Sequence, residues 1–458
     1  MVERLVANEK VEGSTPFARS KIMINDKKLS IKKIFNLAIE NQKKNNFQVA
    51  KDLYSQILRL NPIFHEVYNN LGLIFLKEGN NKEAKKSFKK AIQINPNLVN
   101  IQYNLGLVLQ KMGDDKEAKK CYKKLIEIDP DIAEAYNNLG VVNSNLGEFK
   151  EAIYNYDLAI TKNKNFTNAK VNLISSLTCS DSDNHNQIVF ANNCIKKIHN
   201  KFALEDLLKD KNLEILFGKC NEIFKNINEN IKDIEFKETQ TYRRNNVDLN
   251  CNRHHRIFNQ ERIIPKFCFS CFKIQVEPKN IIDLIKLFFI FDNFKFPNNN
   301  WRKCMIEMRP DVKGTYKGFI YCSSFDEAKI ILDDINPILK KYIKYKISIK
   351  RGCSEFYKLF PDFKQIDNTE DNYMYHEEKW NDVEKKADND ENLNNKKFMN
   401  TLSGMSLLDF LIMNHWFNYA KLINDSAYKK VSANFIYSKF LTNKISNQIE
   451  FRKKEFLC

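Results

Sequence analysis

The pattern of apolar and polar positions returns in the same phase every 34 residues over the N-terminal third of the chain. Cutting the sequence at this interval from Ile31 gives four units without a gap, residues 31–64, 65–98, 99–132 and 133–166. Each unit contains two amphipathic helical stretches separated by a short polar turn. The pattern therefore predicts a stack of antiparallel helix pairs, with one further helix over residues 167–178 as a cap.

Four positions within the unit keep restricted residue types. The eighth is small, the twentieth is alanine and the twenty-fourth is aromatic, as expected where two helices cross closely and one ring fills the gap. Position 32 is proline in three units and ends the second helix, although the fourth unit has Lys164 there. The residues are Ala38, Gly72, Gly106 and Gly140; Ala50, Ala84, Ala118 and Ala152; Tyr54, Phe88, Tyr122 and Tyr156; and Pro62, Pro96 and Pro130.

These signature residues resemble the tetratricopeptide-repeat (TPR) family over residues 31–178. The resemblance implies a superhelix whose first helices line an inner groove that binds a protein or peptide partner. Some grooves of this family clamp a terminal carboxylate with lysine and asparagine at the fifth and ninth positions. Phe35 and Ile39 stand there in the first unit, so this clamp is not expected.

Asparagine stands at the sixth position of every unit and of the cap. A carboxamide both donates and accepts hydrogen bonds, so a row of them can hold the backbone of an extended peptide. The row is similar to the asparagine ladder of the O-linked N-acetylglucosamine transferase superhelix. The alternative is an ordinary polar helix surface. Lysines on the same helices would favour acidic ligands. The predicted partner-binding residues are Asn36, Asn70, Asn104, Asn138, Asn172, Lys77 and Lys111.

Beyond the repeats the pattern changes twice. Residues 179–250 contain amphipathic helical stretches and are predicted to be a helical spacer. Over residues 251–365, short β-rich stretches and helical ones follow in the order strand, helix, strand, strand, helix, strand. That order predicts a ferredoxin-like α+β domain, with helices on one face of a four-stranded antiparallel sheet. The fold class of the whole chain is therefore α+β multidomain, with an all-α solenoid first.

Six of the eleven cysteines fall in this predicted domain. With ferredoxin-like topology, five of them would lie at one end of the sheet, where four soft ligands suit zinc and, less well, an iron–sulfur cluster. Two other interpretations stay open, namely buried thiols that simply pack and a redox-active pair in the Cys-x-x-Cys segment. The predicted metal ligands are Cys268, Cys271, Cys322 and Cys353, with Cys251, His254 and Cys304 as alternates.

Two further functions are compatible with the C-terminal part. Residues 317–321, Lys-Gly-Phe-Ile-Tyr, partly match the RNA-recognition motif expected on the third strand, although Ile320 replaces a small residue and Ser324 an aromatic one. The other alternative is an enzyme whose repeats recruit a protein substrate. No catalytic residue is predicted, because the sequence has no glycine-rich phosphate loop and places no base beside a nucleophile.

The net charge of +17 raises the possibility of a nucleic-acid partner, but lysine, asparagine and isoleucine are abundant throughout, so much of the charge is compositional. No membrane span is expected, because no run of 18 apolar residues occurs. Eleven cysteines without a secretory signal indicate a reducing, cytoplasmic setting.

The remaining segments are predicted to be a disordered or spurious extension (1–30), an acidic flexible linker (366–400) and a helical tail (401–458). The sequence thus predicts a protein-interaction scaffold with a metal-binding C-terminal domain.

Overall fold

The computed structural model describes residues 31–231, 234, 237–243, 251–309, 312–353, 356, 359–363, 374–389, 400–431, 443 and 446–454. The chain forms two compact units, one up to Pro130 and one from Asp131 onward. The predicted extension over residues 1–30 lies outside the described residues, as do residues 366–373 and 390–399 of the predicted linker.

The described part of the N-terminal unit consists of helix pairs, as the 34-residue pattern predicts. Gly79 and Gly113, with φ of 77° and 75°, turn the chain between the two helices of a pair, a conformation that glycine adopts without strain. The helices are α1 (Ile31–Lys43), α2 (Phe47–Leu60), α3 (His65–Lys77), α4 (Asn81–Ile94), α5 (Val99–Met112) and α6 (Asp115–Ile128).

The second and third pairs are closed by contact between a glycine on the first helix and a buried aromatic ring on the second. A Cβ atom added at Gly72 would lie 2.6 Å from the Phe88 ring, and one added at Gly106 would lie 2.7 Å from the Tyr122 ring. Both rings are fully buried. The small residue at position eight is therefore required by the ring at position twenty-four.

In the first and third pairs the buried ring is a tyrosine, Tyr54 or Tyr122, and its hydroxyl group has a partner on the first helix of the pair. Tyr54 donates to Oε1 of Gln42 at 2.7 Å, and the third pair repeats this tyrosine–glutamine bond at 2.5 Å. In the second pair the ring is Phe88 and the residue at the glutamine position is Leu76. The pair without a tyrosine hydroxyl thus also lacks the glutamine acceptor, which is expected because a buried hydroxyl without an acceptor costs free energy.

The C-terminal unit begins with the fourth helix pair. A Cβ atom added at Gly140 would lie 2.5 Å from the Tyr156 ring, so the same contact holds this pair together. Further helices then occupy the cap and most of the predicted spacer. The helices are α7 (Ala133–Asn145), α8 (Phe149–Lys162), α9 (Thr167–Ser176), α10 (Gln187–His199), α11 (Leu204–Leu207) and α12 (Asp210–Ile231).

A small antiparallel sheet lies in the C-terminal part, as predicted. Its strands are β1 (Gln240–Arg243), β2 (Phe272–Pro278), β3 (Arg302–Ile306), β4 (Tyr316–Cys322) and β5 (Tyr345–Arg351). They lie side by side in the order β1-β3-β4-β2-β5, and every neighbouring pair is antiparallel. Strand β1 was not predicted, because its residues fall at the end of the segment expected to be a helical spacer.

The helices among and after the strands begin at polar caps. The side chains of Asn280, Ser324 and Ser406 each accept a hydrogen bond from a backbone N–H in the first turn of the helix that follows. The helices are α13 (Cys251–Glu261), α14 (Phe267–Ser270), α15 (Ile281–Asn293), α16 (Phe325–Tyr342), α17 (Trp380–Asn389), α18 (Leu407–Leu422) and α19 (Ile449–Lys454).

Helix α15 lies at the centre of the C-terminal unit. It contacts α16, α18 and the strands β2, β3 and β4. A Cβ atom at Gly318 on β4 would lie 2.5 Å from Leu287 of α15, so this glycine lets the helix approach the sheet closely. Because α15 is apolar around most of its circumference, its neighbours bury all of its residues except Lys286 and Asn293.

The fourth helix pair and α9 share this large core. Tyr156 of α8 and Leu173 of α9 belong to the same buried cluster as Phe217 of α12, Phe289 of α15 and Phe410 of α18. The sequence predicted one superhelix over residues 31–178. The compact C-terminal unit includes the fourth of these pairs, whose buried faces pack against residues that follow in the chain.

Helix α17 lies in the segment predicted to be a flexible acidic linker. Its Trp380 is buried in a second cluster with Phe258 and Phe356, and Glu384 pairs with Arg253 at 3.2 Å. Residues 380–389 of this segment therefore form a helix that packs against other elements. The prediction rested on average composition, which does not register one well-placed aromatic side chain.

Arg243, at the end of β1, joins three elements through buried charges. Its guanidinium donates to Asp292 at the end of α15 and to the two carboxylate oxygens of Asp409 in α18, at 3.2 and 3.1 Å. It also donates to the Gly404 carbonyl at 2.9 Å. Burial alone would raise the pKa of Asp292, but Arg243 outweighs burial and holds this pKa below its ordinary value.

We expect Gly106→Ala to destabilise the third helix pair by about 1–3 kcal/mol, because the added methyl group must displace the Tyr122 ring. Amide hydrogen exchange in α5 and α6 measures the effect. Gly218→Ala is the control, since Gly218 also lies within a helix but has open space around it, and it should be neutral or stabilising by up to about 1 kcal/mol. Equal effects of the two substitutions would contradict the packing described.

We expect Arg243→Met to lower the free energy of unfolding by about 3–5 kcal/mol at pH 7, because two buried carboxylates lose their partner. In the wild-type chain, the lowered pKa of Asp292 means that its contribution is present above the ordinary aspartate pKa and is lost as the pH falls. In the variant, burial is opposed only by the Gly404 N–H and by His199, so the pKa of Asp292 is higher than in the wild type and the protonated acid is favoured. The difference in the free energy of unfolding between the wild type and Arg243→Met should therefore be smaller at pH 5 than at pH 7.

Urea unfolding at both pH values measures this difference. Lys209→Met, which removes an exposed ion pair with Asp206, is the control and should change little at either pH. A deficit for Arg243→Met that stays constant with pH would contradict the role assigned to Asp292.

Candidate functional site

The asparagines of the predicted column lie on first helices, three in the N-terminal unit and two in the C-terminal unit. In the N-terminal unit, Asn36 on α1 is exposed, whereas Asn70 on α3 and Asn104 on α5 are half-buried. Nδ2 of Asn104 donates to Oδ1 of Asn69 at 3.4 Å. Burial raises the pKa of Tyr54 to about 12, although a hydrogen bond from the Asn70 side chain acts to lower it. The amides of Asn70 and Asn104 thus each have one partner on a neighbouring helix.

In the C-terminal unit the carboxamides form a chain between α7 and α9. Asn172 donates to Oδ1 of Asn137 at 3.0 Å, and Asn137 donates to Oδ1 of Asn138 at 3.3 Å. Nδ2 of Asn138 is a buried donor without a hydrogen-bond partner within the described residues. The structure gives Asn172 a donor role only, which leaves its Oδ1 available as an acceptor.

The structure adds asparagines at the fifth position, which the sequence analysis did not single out. Asn69 and Asn137 each accept a hydrogen bond from the sixth-position asparagine of the next helix pair or of the cap. The signal was present in the sequence, as an asparagine doublet in residues 68–72 and again in residues 136–140. These bonds hold the sixth-position amides in a defined orientation.

The two predicted lysines are exposed at the ends of first helices. Lys77 lies in the last turn of α3, with Nζ 5.7 Å from the centre of the Phe47 ring, and Lys111 lies in the last turn of α5. Neither forms an ion pair with any residue that the structure describes. Cations at helix C-termini are stabilised by the helix dipole. Both charges therefore remain available to a ligand.

The strand register brings Cys271, Cys322 and Cys353 to one end of the sheet. Cys322 pairs with Phe272, the residue after Cys271. On the other side of β2, the N–H of Gly352 donates to the Cys271 carbonyl at 2.7 Å, which places Cys353 one residue beyond. Three of the four predicted ligand positions therefore lie at the same end of β2, β4 and β5.

Cys268 reaches this end from the one-turn helix α14 and packs in the cluster that also contains Cys353. Burial, followed by the neighbouring thiols of Cys353, Cys271 and Cys251, raises the pKa of Cys268, and burial raises the pKa of Cys271 to about 11. Neutral thiols do not favour the redox-active pair, since the thiolate is the reactive form. Over the described residues, no three Cys, His, Asp or Glu side chains are placed to hold a metal ion.

Two of the predicted alternate metal ligands are Cys304, which lies elsewhere in the sheet, and His254, which packs against an aromatic ring. Cys304 lies in the middle of β3, paired with Gly318, because this strand begins two residues earlier than predicted. The prediction that Cys304 lies at the same sheet end as Cys271 is therefore wrong. His254 on α13 is buried and stacks on Phe267, with ring centres 5.2 Å apart.

The partial RNA-recognition motif lies on β4. Its Phe319 is only 8% exposed, and Nζ atoms of Lys273 and Lys303 lie 5.3 and 5.4 Å from the ring centre. Burial, with Lys273 and Arg309 nearby, lowers the pKa of Lys303 to about 8. A buried ring has no free face on which a base could stack, so this arrangement does not favour RNA binding through β4.

None of the helices that the structure describes is both long and apolar enough to cross a membrane.

Models of two repeat families match the helix pairs. One, described as a TPR repeat, matches residues 72–113, and the other, described as a tetratricopeptide repeat, matches residues 97–164. Neither match extends beyond residue 164. No protein of curated function matches the chain in sequence.

Several solved structures resemble part of the chain. A MamA structure is 24% identical over 31% of this chain and 82% of its own, with a TM-score of 0.30. YrrB, described as a TPR protein with an unusual peptide-binding site, is 20% identical over 44% of this chain and 91% of its own, with a TM-score of 0.32. MamA from Desulfovibrio magneticus RS-1, residue 41 to its end, is 19% identical over 32% and 83%, with a TM-score of 0.31.

Proposed function

We propose that this chain, whose residues 72–164 are tetratricopeptide repeats, is an interaction scaffold that binds an extended peptide segment of a partner protein. TPR proteins mediate protein–protein interactions. The binding surface would be the asparagine face, defined as the sixth-position asparagines of the first helices, Asn36, Asn70, Asn104, Asn138 and Asn172.

The observation that carries this proposal is the pairing of carboxamides between neighbouring first helices. Asn104 is bonded to Asn69, and Asn172 is bonded to Asn137. Each pair uses the donor of one amide and leaves an acceptor of the same amide to a ligand. An extended peptide backbone presents N–H and C=O groups that such amides can bind whatever the peptide sequence.

Amides that are already held in one orientation bind a ligand more favourably than the free side chains of an ordinary polar surface do. A free asparagine side chain loses rotamer freedom when it binds, whereas one already held by a neighbour has less to lose. Lys77 and Lys111 would add a preference for acidic side chains near the ends of α3 and α5.

For the C-terminal unit we propose a ferredoxin-like arrangement of β2 to β5 with α15 and α16. The strand order β3-β4-β2-β5, antiparallel throughout, supports it.

As a second candidate function we propose that this unit binds structural zinc, with an iron–sulfur cluster less suited. The supporting observation is that the Cys353 thiol packs in the same cluster as Cys268, and that Cys353, Cys271 and Cys251 are close enough to raise the pKa of Cys268. Binding would require these side chains to rotate towards one another and lose their protons.

Peptide binding is tested with dodecapeptides enriched from a random display library on the full chain. We expect Asn70→Ala combined with Asn104→Ala to weaken their affinity about tenfold, because each lost amide contact contributes about 0.5–1.5 kcal/mol. Isothermal titration of the synthetic peptides measures the change. Asn97→Ala removes an exposed carboxamide from the turn before α5 and is the matched control, expected to bind as the wild type does.

If the double variant binds every enriched peptide with wild-type affinity, the asparagine face is not the binding surface. If nothing is enriched on the wild-type chain, the scaffold proposal itself fails.

Zinc binding is tested by elemental analysis of the full chain and by its thermal midpoint with and without chelator. We expect a stoichiometric amount of zinc, a lower midpoint with chelator, and loss of the metal in Cys268→Ser and Cys353→Ser. Cys194→Ser on α10 is the control and should keep the metal. A metal-free chain whose midpoint ignores the chelator would rule out this second function.

A further inference from the structure

The face of the sheet turned away from α15 carries a group of lysines. Successive side chains of a strand point to opposite faces, and Gly318 of β4 lies on the face that α15 covers. In the strand register, Lys273 on β2, Lys303 on β3 and Lys350 on β5 lie on the other face. All three are half-buried. These three side chains form the lysine cluster.

The strand register places like charges side by side in this cluster. Lys273 is directly opposite Lys350 on the neighbouring strand. Lys303 is directly opposite Phe319, and the Nζ atoms of Lys273 and Lys303 lie 5.3 and 5.4 Å from the centre of that one ring. Like charges directly opposite each other destabilise a sheet. The arrangement is therefore unfavourable for the fold unless an anion offsets the charges.

Two carboxylates on the same face are engaged elsewhere. Glu277 accepts a hydrogen bond from the Gln275 side chain. Glu307 is bonded to Arg309 and Lys317, at 2.8 and 3.1 Å. No lysine of the cluster forms an ion pair with any residue that the structure describes. The described chain thus gathers three cations on this face without supplying their counter-ion.

The amino group of Lys303 keeps donors for a ligand. Its Nζ atom donates to Oε1 of Gln240 at 3.0 Å, which is a neutral acceptor, and an ammonium group has three donors. Burial, with Lys273 and Arg309 nearby, lowers the pKa of Lys303 to about 8, and burial also lowers the pKa of Lys350. An anion bound between these amino groups would favour their charged forms.

Three neighbouring cations favour an anion that carries more than one charge. A carboxylate has a single charge and would leave the remaining lysines to repel one another. A phosphate monoester carries about −1.5 to −2 at pH 7 and has three acceptor oxygens. Lysine binds phosphate as a point charge, so no bidentate geometry is required.

We propose that Lys273, Lys303 and Lys350 bind the phosphate group of a phosphate monoester on this face of the sheet. The inference goes beyond the proposed function and depends neither on the asparagine face nor on zinc. The phosphate group belongs either to a small molecule or to a phosphorylated side chain of a partner protein, and the experiment distinguishes these sources.

The first probe is phenyl phosphate, whose binding to the full chain is measured by isothermal titration and by the rise of the thermal midpoint. Lys273→Gln and Lys350→Gln should each weaken binding about tenfold or more, because each removes a charged hydrogen-bond donor. Lys346→Gln is the matched control. Lys346 lies on the same face of β5 but directly opposite Glu277, so this variant should bind as the wild type does.

The ligand-free chain separates binding from a purely structural role. Lys350→Gln removes a charge that repels Lys273, so its thermal midpoint without ligand should equal or exceed that of the wild type, most clearly at low salt. A lower midpoint would show that Lys350 supports the fold and would count against the proposal.

The affinity for phenyl phosphate should fall as the pH rises. The second pKa of a monoester is about 6, so the ligand stays a dianion from pH 7 to pH 9. Lys303 loses its proton over this range, and the affinity should fall about tenfold. Lys303→Gln should bind weakly at both pH values and lose most of this fall. The other charged or titratable groups facing Lys303 are Lys273 on β2, Glu307 and Arg309 after β3, Cys251 on α13 and Tyr242 on β1.

Further probes identify the source of the phosphate group. A dodecapeptide pool with one central phosphoserine, if it binds more tightly than phenyl phosphate and requires the same lysines, assigns the group to a partner protein. If the pool binds no more tightly, a small molecule is the source.

Three results would overturn the proposal. The first is acetate binding as tightly as phenyl phosphate, and the second is phenyl phosphate binding that survives both Lys273→Gln and Lys350→Gln. The third is a single-stranded oligonucleotide that binds more tightly than every phosphate monoester with a steep salt dependence, which would assign the lysine cluster to nucleic acid.

Discussion

The close approach of two helices at a glycine facing an aromatic ring governs the repeat region. At Gly72, Gly106 and Gly140, even one methyl group would lie within 3 Å of ring atoms. Because the ring fixes how near the helices lie, it also fixes which turns of the first helix stay uncovered. The sixth-position asparagines stay at least partly uncovered for that reason, and any ligand-binding surface on the first helices follows from this contact.

In the C-terminal unit, buried charge has the corresponding role. Arg243 bonds to Asp292 and Asp409 and so ties β1 to α15 and α18, where an apolar contact alone would leave the short strand free to shift. Removing charges from water is costly unless each finds its partner, so such a cluster tolerates few alternative arrangements. This specificity holds β1 in one position against α15 and α18.

The candidate site was partly accessible from the sequence. The phase of the repeat identified the position of Asn104 and its equivalents, because position in a helix pair follows from spacing alone. Their bonds to Asn69 and Asn137 did not follow, since they depend on the distance between helices. Among the cysteines, the order of strands brought Cys271, Cys322 and Cys353 together correctly. Cys304 was misplaced because a two-residue error in the start of a strand moves a side chain from its end to its middle.

The sequence by itself determined the helix pairs, their register and the small residue that each ring requires, because these depend on contacts between residues about sixteen positions apart that recur in every unit. Only the tertiary structure decided that the fourth pair packs with the C-terminal core, that β1 joins the sheet and that α17 orders part of an acidic segment. Those features rest on contacts between residues far apart in the chain, such as Tyr156 with the cluster around Phe410, or Arg243 with Asp409. A local pattern carries no record of such partners, since each is a single pairing without a period.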